Sequence, residues 1–403
     1  MAQKGLTGFF EQFLAKKSIF KNKKALQPNY TPETIFHRDE QIKQIANILA
    51  PSLRLEKPSN LFMYGQTGTG KTLSTQYTTN QLLETATQKA LPLKIIYINC
   101  KLKKATDTEY RLIAQLARYF GKEIPSTGLP TEEVYSIFFN VIDKEKLILI
   151  LILDEIDQLV KKTGDEMLYN LTRINSELKN SQISIIGISN DSHFTDNLDP
   201  RVKSSLSEEE ILFPPYNAIQ IKEILKQRAD IAFSENALED GVIEKCSAYA
   251  AREHGDVRRA IELLRVAAEI SERNETSSVK MEHLDMAEEK IEHDKVLDII
   301  TTQPKQFQVT LYAIITLYTK RKDMLFTGEI YELYKGYCLQ TGLRPLTQRR
   351  VSDIISEMDT LGLINAQVIS KGRYGRTRKI TMQPLPSPLP KLKRLLEEQL
   401  DLV

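Results

Sequence analysis

The sequence predicts an α/β fold: a doubly wound parallel sheet, then an all-helical unit, then a second helical unit closed by a hairpin. Three observations carry this expectation. Apolar segments with strand character recur at 60–64, 93–99, 147–153 and 183–189, with helical segments between them. The run 147–153 is aliphatic at every position, as a parallel strand covered by helices on both faces must be. After Pro214 and Pro215, residues 217–295 keep helical periodicity only.

The elements follow in chain order. Residues 1–26 show helical periodicity through Phe9, Phe10, Phe13 and Leu14 among lysines, and read as a basic arm or docking helix. Pro28 and Pro32 bracket a short extended stretch. A helix begins near Asp39 and continues through Ile42, Ile45 and Leu49. The strand at 60–64 leads into a helix at 72–83, and the strand at 93–99 into one at 108–120. The third and fourth strands follow. Pro304 opens the last unit, 306–383, and four alternating prolines from Pro384 to Pro390 close it. An amphipathic tail helix carries Leu392, Leu395, Leu396 and Leu400. The expected division is an arm at 1–27, an α/β domain at 28–215, an α-helical domain at 216–300, a C-terminal domain at 301–390 and a tail at 391–403.

Composition narrows the class. With 403 residues, 41% apolar and 27% charged, the chain is long enough for two or three packed domains, and general disorder is excluded. Cys100, Cys246 and Cys338 are far apart and form no CxxC pair, so no disulfide framework or metal cluster is expected. The longest aliphatic run is far short of the roughly 18 residues that span a bilayer, and no signal peptide is expected. A reducing cytoplasm and no membrane partner are the expectation. The net charge of +2 hides an uneven distribution. Residues 1–30 carry six lysines against Glu11, and residues 304–383 carry 13 basic against six acidic side chains. The body between them is acidic. Basic ends on an acidic body favour a polyanionic partner.

Gly65-Gln66-Thr67-Gly68-Thr69-Gly70-Lys71-Thr72 matches GxxxxGK[ST] between a strand and a helix. Glycines let the backbone curl so that several N–H groups face the phosphates, and the helix that begins there, with Leu73 in its first turn, adds its positive end. Lys71 would reach the β- and γ-phosphates of ATP, and the Thr72 hydroxyl would ligate Mg²⁺. The buried strand at 147–153 ends in Asp154 and Glu155. Asp154 would hold Mg²⁺ through its water shell, and Glu155 would polarise the attacking water. Asn190 ends the next strand, where a polar side chain faces the ligand crevice of an open α/β sheet.

Residues 306–383 read as a winged helix. Thr327 can cap a helix through 329–339. Thr347 can cap a second helix that buries Val351, Ile354, Ile355 and Met358 on one face. The exposed first turn of that helix carries Gln348, Arg349 and Arg350, where a recognition helix meets DNA. Strands at 367–370 and 378–381 flank a basic tip with Lys371, Arg373, Tyr374 and Arg376, suited to a minor groove.

Together, the phosphate loop, the strand ending in Asp154 and Glu155, Asn190 and the helical domain behind them resemble the AAA+ ATPases. Asn29-Tyr30-Thr31-Pro32-Glu33 with His37-Arg38-Asp39-Glu40-Gln41-Ile42 is similar to the adenine-side segment of the archaeal origin-recognition and cell-division-control initiators. Leu198-Asp199-Pro200-Arg201, Phe213-Pro214-Pro215-Tyr216-Asn217 and Gly255-Asp256-Val257-Arg258-Arg259-Ala260 resemble further motifs of that family.

The resemblance covers roughly residues 28–383 and implies an AAA+ core, an all-α lid and a winged-helix domain. Arg258 would read the γ-phosphate of its own subunit, unless its neighbour Arg259 is the one that points inward. Arg201 would be offered to a neighbour's nucleotide. Arg38, Tyr216 and Ile224 would line the adenine pocket. Thr127, Gly128 and Leu129 would touch the DNA backbone from an initiator-specific helical segment. The implied cofactors are ATP/ADP and Mg²⁺. The implied partners are double-stranded origin DNA, the replicative helicase and other initiator paralogues, with slow ATP hydrolysis as a switch. An AAA+ signalling NTPase that uses its winged helix for protein contact is the competing reading.

Overall fold

The computed structural model describes residues 18–28, 30–101, 108–125, 127–253, 255–321, 323–370, 376–383 and 389–402. The chain divides into two compact units at Met281 and Glu282. The periodic stretch through Phe9, Phe10, Phe13 and Leu14 lies outside the described residues.

The first unit is built on five parallel strands in the order β2-β3-β4-β1-β5. They are β1 (Leu61–Tyr64), β2 (Leu93–Asn99), β3 (Ile148–Asp154), β4 (Gln182–Ser189) and β5 (Glu209–Leu212). The helices of this part are α1 (Asp39–Leu49), α2 (Lys71–Gln88), α3 (Glu109–Tyr119), α4 (Thr131–Ile142), α5 (Ile156–Thr163), α6 (Glu166–Arg173) and α7 (Pro200–Leu206). The fully apolar β3 explains itself. Leu149, Leu151 and Leu153 pack with α3 to α7 on one face, and Ile148, Ile150 and Ile152 pack with α1 and α2 on the other. Register aligns the strand ends, with Asn99 opposite Asp154 and Tyr64 opposite Ser189. The sequence-distant β1 and β4 therefore deliver their C-terminal ends side by side, where an open sheet opens its ligand crevice.

The strand β5 has no counterpart in the sequence reading. It is an edge strand whose pattern is masked by Glu208, Glu209 and Glu210, and Ile211 is its one buried residue. Asn60 ties these strands together just before β1. Its Oδ1 accepts from the Ile185 amide at 2.9 Å, and its Nδ2 donates to the Ser205 carbonyl at 2.7 Å.

Three helices complete the first unit: α8 (Ala218–Ala232), α9 (Val242–Arg252) and α10 (Val257–Arg273). Asn217 caps α8 in a reciprocal box with Gln220, and the Asp256 carboxylate caps α10. The lysine-rich stretch from Ser18 lies on these helices. Phe20 stacks on Phe233 with ring centroids 5.3 Å apart, the Lys21 amide donates to the Ala232 carbonyl, and Lys23 pairs with Glu269 at 2.9 Å.

The second unit holds all but the first residue of α11 (Met281–Thr302), then α12 (Lys305–Arg321), β6 (Leu325–Phe326), α13 (Thr327–Gln340), α14 (Gln348–Thr360), β7 (Ile364–Ser370), β8 (Arg376–Met382) and α15 (Leu389–Gln399). The strands pair antiparallel in the order β6-β8-β7. Thr347 caps α14, and the four expected residues Val351, Ile354, Ile355 and Met358 are buried. Thr327 does not cap α13. It is the first helical residue, and its hydroxyl accepts the Arg378 amide of β8 at 3.2 Å. The tail helix α15 packs Leu392 and Leu396 into the core of this unit.

Asn60→Ala leaves one amide and one carbonyl unpaired in a dry site. The expected loss is about 2 kcal/mol or more in a urea titration of the chain.

Candidate functional site

The phosphate loop links the end of β1 to the start of α2, at the switch point of the sheet. Gly68 and Gly70 both have positive φ, +70° and +89°. A Cβ on Gly68 would run into the Asp256 carboxylate, and one on Gly70 would come within 2.9 Å of the Tyr216 hydroxyl. Only glycine permits both the curl and the close approach of the lid.

Lys71 is 4% exposed. Its ammonium donates to the carbonyls of Gly65 and Gln66, both at 2.7 Å. Burial pushes its pKa down to about 8, and the like charge of Arg258 pushes the same way, against weaker pulls from Asp154, Asp157 and Asp256. Among the described residues, carbonyl dipoles rather than a bonded carboxylate compensate this buried cation.

Next to it, the Thr72 hydroxyl donates to Asp154 Oδ2 at 2.8 Å. The Tyr97 hydroxyl donates to the same oxygen at 2.6 Å, and the Glu155 amide donates to Oδ1 at 2.9 Å. Glu155 sits in the left-handed region, φ +55°, where β3 turns into α5, and Lys101 approaches it to 3.8 Å. Asn190 follows β4 and is exposed. One residue before it, the Ser189 hydroxyl donates to the buried Asp157 at 3.2 Å and accepts the Asp191 amide at 3.0 Å. Among the described residues, no three His, Cys, Asp or Glu side chains converge as a metal cage. A single carboxylate beside a hydroxyl suits Mg²⁺ that arrives with a phosphate and keeps its waters.

A cavity of about 430 Å³ opens over the loop. Gly68, Gly70, Thr72 and Leu73 line it from the core, and Tyr216, Ile224 and Arg258 from the helical side. Its size suits a nucleoside, and its glycine cradle suits phosphates. Of the two neighbouring arginines, Arg258 lines the cavity, whereas Arg259 is buried against Glu253, 3.2 Å away, and Glu262.

Arg38 departs from its expected place. It is 2% exposed and does not line the cavity. Its guanidinium donates to the carbonyls of Thr69 at 2.8 Å and Pro214 at 2.6 Å, and it stacks 3.7 Å from the Tyr216 ring centre. It thereby joins the phosphate loop to the strap that leads into α8. The cavity wall is instead completed by Tyr30, Pro32 and Phe36. Arg228 of α8 holds that wall by donating to the carbonyls of Ala25 and Tyr30 and lying over the Tyr30 ring. The only sequence signal for Arg228 was a charge on the apolar face of a helix.

Arg201 stands on α7, exposed and away from this cavity. Asp199 holds it through Nε at 3.1 Å and a terminal nitrogen at 3.0 Å, and its guanidinium lies 5.1 Å from the Tyr169 ring centre.

In the second unit, Gln348, Arg349 and Arg350 are exposed on the first turn of α14, and Arg350 has Asp353 3.9 Å away. Lys371, Arg373 and Tyr374 lie outside the described residues, and Arg376 opens β8. Thr127 and Gly128 are exposed between α3 and α4, whereas Leu129 packs against the apolar core.

Comparison with known proteins agrees with this layout. Residues 54–191 match the AAA domain family, 222–289 the Cdc6 AAA+ ATPase-type lid domain, and 298–388 the CDC6 C-terminal winged helix domain. The chain is 51% identical over 385 residues to an ORC1-type DNA replication protein of Thermococcus onnurineus, covering 94% of this chain and 92% of that protein. It is 51% identical over 379 residues to ORC1-type DNA replication protein 1 of Methanosarcina acetivorans, covering 94% and 91%. The solved structure of the Aeropyrum pernix ORC1 protein in complex with DNA is similar at 41% identity and a TM-score of 0.83, covering 95% of this chain and 98% of that one.

The buried Lys71 predicts a pH effect on the nucleotide-free fold. Its pKa is lowered in the folded chain to about 8 from 10.5, so the unfolded chain holds the proton more tightly. Stability from this group is therefore fully present above pH 10.5, and is lost as pH falls to 8. Without nucleotide, Lys71→Met is expected to melt above the parent chain at pH 7. The gap should narrow as pH rises from 8 towards 10.5 in melting curves.

Proposed function

The chain belongs to the archaeal ORC1-type/Cdc6 family of replication initiators, AAA+ proteins with a winged-helix domain, and from that premise we propose an ATP-dependent initiator that grips origin DNA. One observation carries the nucleotide half. Arg258 lines the cavity over the phosphate loop from its lid side, and a second cation, Lys71, is buried within the loop itself, its ammonium folded onto the carbonyls of Gly65 and Gln66. Such a pair favours a polyphosphate that touches both domains.

In this reading the backbone from Gly65 to Gly70 and the Lys71 ammonium hold the phosphates of ATP or ADP. Leu73, Tyr216 and Ile224 contact the base and ribose. Thr72 and Asp154 hold Mg²⁺, which when bound screens the phosphate charge. Glu155 takes the proton of the attacking water, and Asn190 orients that water. Arg258 stabilises the charge on the γ-phosphate from the lid. Arg201, exposed and held ready by Asp199, serves a neighbouring subunit's nucleotide, so that hydrolysis reports assembly. Turnover is slow and acts as a switch.

DNA contact is assigned to the first turn of α14, with Gln348, Arg349 and Arg350, and to the tip with Lys371, Arg373, Tyr374 and Arg376. Thr127, Gly128 and Leu129 are assigned to the DNA backbone. Its 41% identical relative, solved in complex with DNA, supports a DNA partner. The replicative helicase and other initiator paralogues are the proposed protein partners, with action at the nucleoid in the cytoplasm. No described helix is long and apolar enough to cross a membrane.

The DNA half is tested by salt dependence. Each phosphate contact contributes about 0.9 to the slope of log affinity against log salt. Replacing Arg349 and Arg350 together by Ala is expected to flatten that slope by about two units in duplex anisotropy titrations. An unchanged slope would mean that α14 touches no phosphate. Absence of duplex binding by the parent chain at moderate salt would point to protein contact instead.

A further inference from the structure

Tyr97 has no role in the reading above, yet its hydroxyl reaches the carboxylate at the centre of the site. The register of β2 on β3 puts Tyr97 beside Ile152 and Asn99 beside Asp154, so Tyr97 and Asp154 rise on the α2 face of the sheet. The ring packs against the apolar cluster of that face, which fixes where the hydroxyl points. At 2.6 Å, it donates to Asp154 Oδ2, the oxygen that also accepts from Thr72. The Glu155 amide occupies the other oxygen. Three donors from β2, α2 and the turn after β3 thus set the plane of one carboxylate.

Packing alone does not account for this tyrosine. A phenylalanine would fill the same space on β2, and a half-buried hydroxyl could be turned to water. Here it ends on the carboxylate that faces the phosphate loop.

We propose that Tyr97 is a positioning residue for the divalent-metal site: its hydroxyl holds Asp154 in the orientation that receives Mg²⁺ and its waters beside Thr72. The inference rests on the nucleotide reading of this cavity. Partners that orient a ligating group from behind commonly contribute 10–100-fold to metal affinity. A carboxylate that meets the ion through water falls at the lower end of that range.

The test is calorimetric titration of ATP into the full chain and into Tyr97→Phe, in EDTA and across a series of Mg²⁺ concentrations. The ring and its packing are retained in the variant, so its nucleotide-free melting temperature checks the fold. The expected result is unchanged ATP affinity in EDTA and an approximately tenfold rise in the Mg²⁺ concentration that gives half of the metal-dependent tightening. An equal Mg²⁺ midpoint in the two proteins would overturn the proposal. So would a fall in EDTA affinity of the same size, because the tyrosine would then serve the pocket's packing. Failure of the parent chain to bind ATP with or without Mg²⁺ would overturn the nucleotide reading itself, and the proposal with it.

Discussion

Burying the Lys71 ammonium on carbonyl dipoles is the constraint on which the first unit is arranged. A charge in a dry site is costly unless it is paired. Lys71 has two carbonyl oxygens of its own loop at 2.7 Å, while Asp154 is engaged with Thr72, Tyr97 and the Glu155 amide. Arg258 adds a second positive charge rather than relieving the first. Burial outweighs the pull of Asp154, Asp157 and Asp256, so the ammonium stays poorly compensated, and in the proposed reading a polyphosphate would complete it. The sheet order serves the same end, because β1 and β4 deliver the loop and Asn190 to one edge beside Asp154.

The helical part of the first unit closes this site through few, specific contacts. Gly68 lies under Asp256, and Gly70 under the Tyr216 hydroxyl. Arg38 connects the loop carbonyl of Thr69 to that of Pro214, at the entrance to α8. Arg228 connects α8 back to the segment that bears Tyr30. Both arginines are buried, with pKa values lowered by desolvation, and both hold backbone carbonyls instead of acids. A change in lid position would therefore be felt at the phosphate loop through Arg38, and at the cavity wall through Arg228.

Much of this was legible in the sequence, because the features concerned are local. The phosphate loop needs a fixed spacing of glycines and lysine, a strand buried on both faces needs an uninterrupted apolar run, and a capped amphipathic helix needs the spacing seen at Val351, Ile354, Ile355 and Met358. What escaped depends on contacts between distant segments. The edge strand β5 buries only Ile211. Thr327 suits a cap because Ser and Thr favour that position, but a strand amide 51 residues on donates to its hydroxyl. Family likeness points Arg38 to the adenine pocket, whereas its burial among carbonyls depends on β5 and α8 being in place. Tyr30 and Phe36 form the cavity wall because Arg228, far along the chain, holds their segment. The basic tip at Lys371, Arg373 and Tyr374 lies outside the described residues.

The central claim is that the buried cation of Lys71 is completed by nucleotide. Equilibrium binding of ATP with Mg²⁺ to the parent chain and to Lys71→Met tests it most directly. The account predicts saturable binding by the parent chain and loss of that binding in the variant, while the variant stays folded. Equal ATP affinity in the two proteins would contradict it.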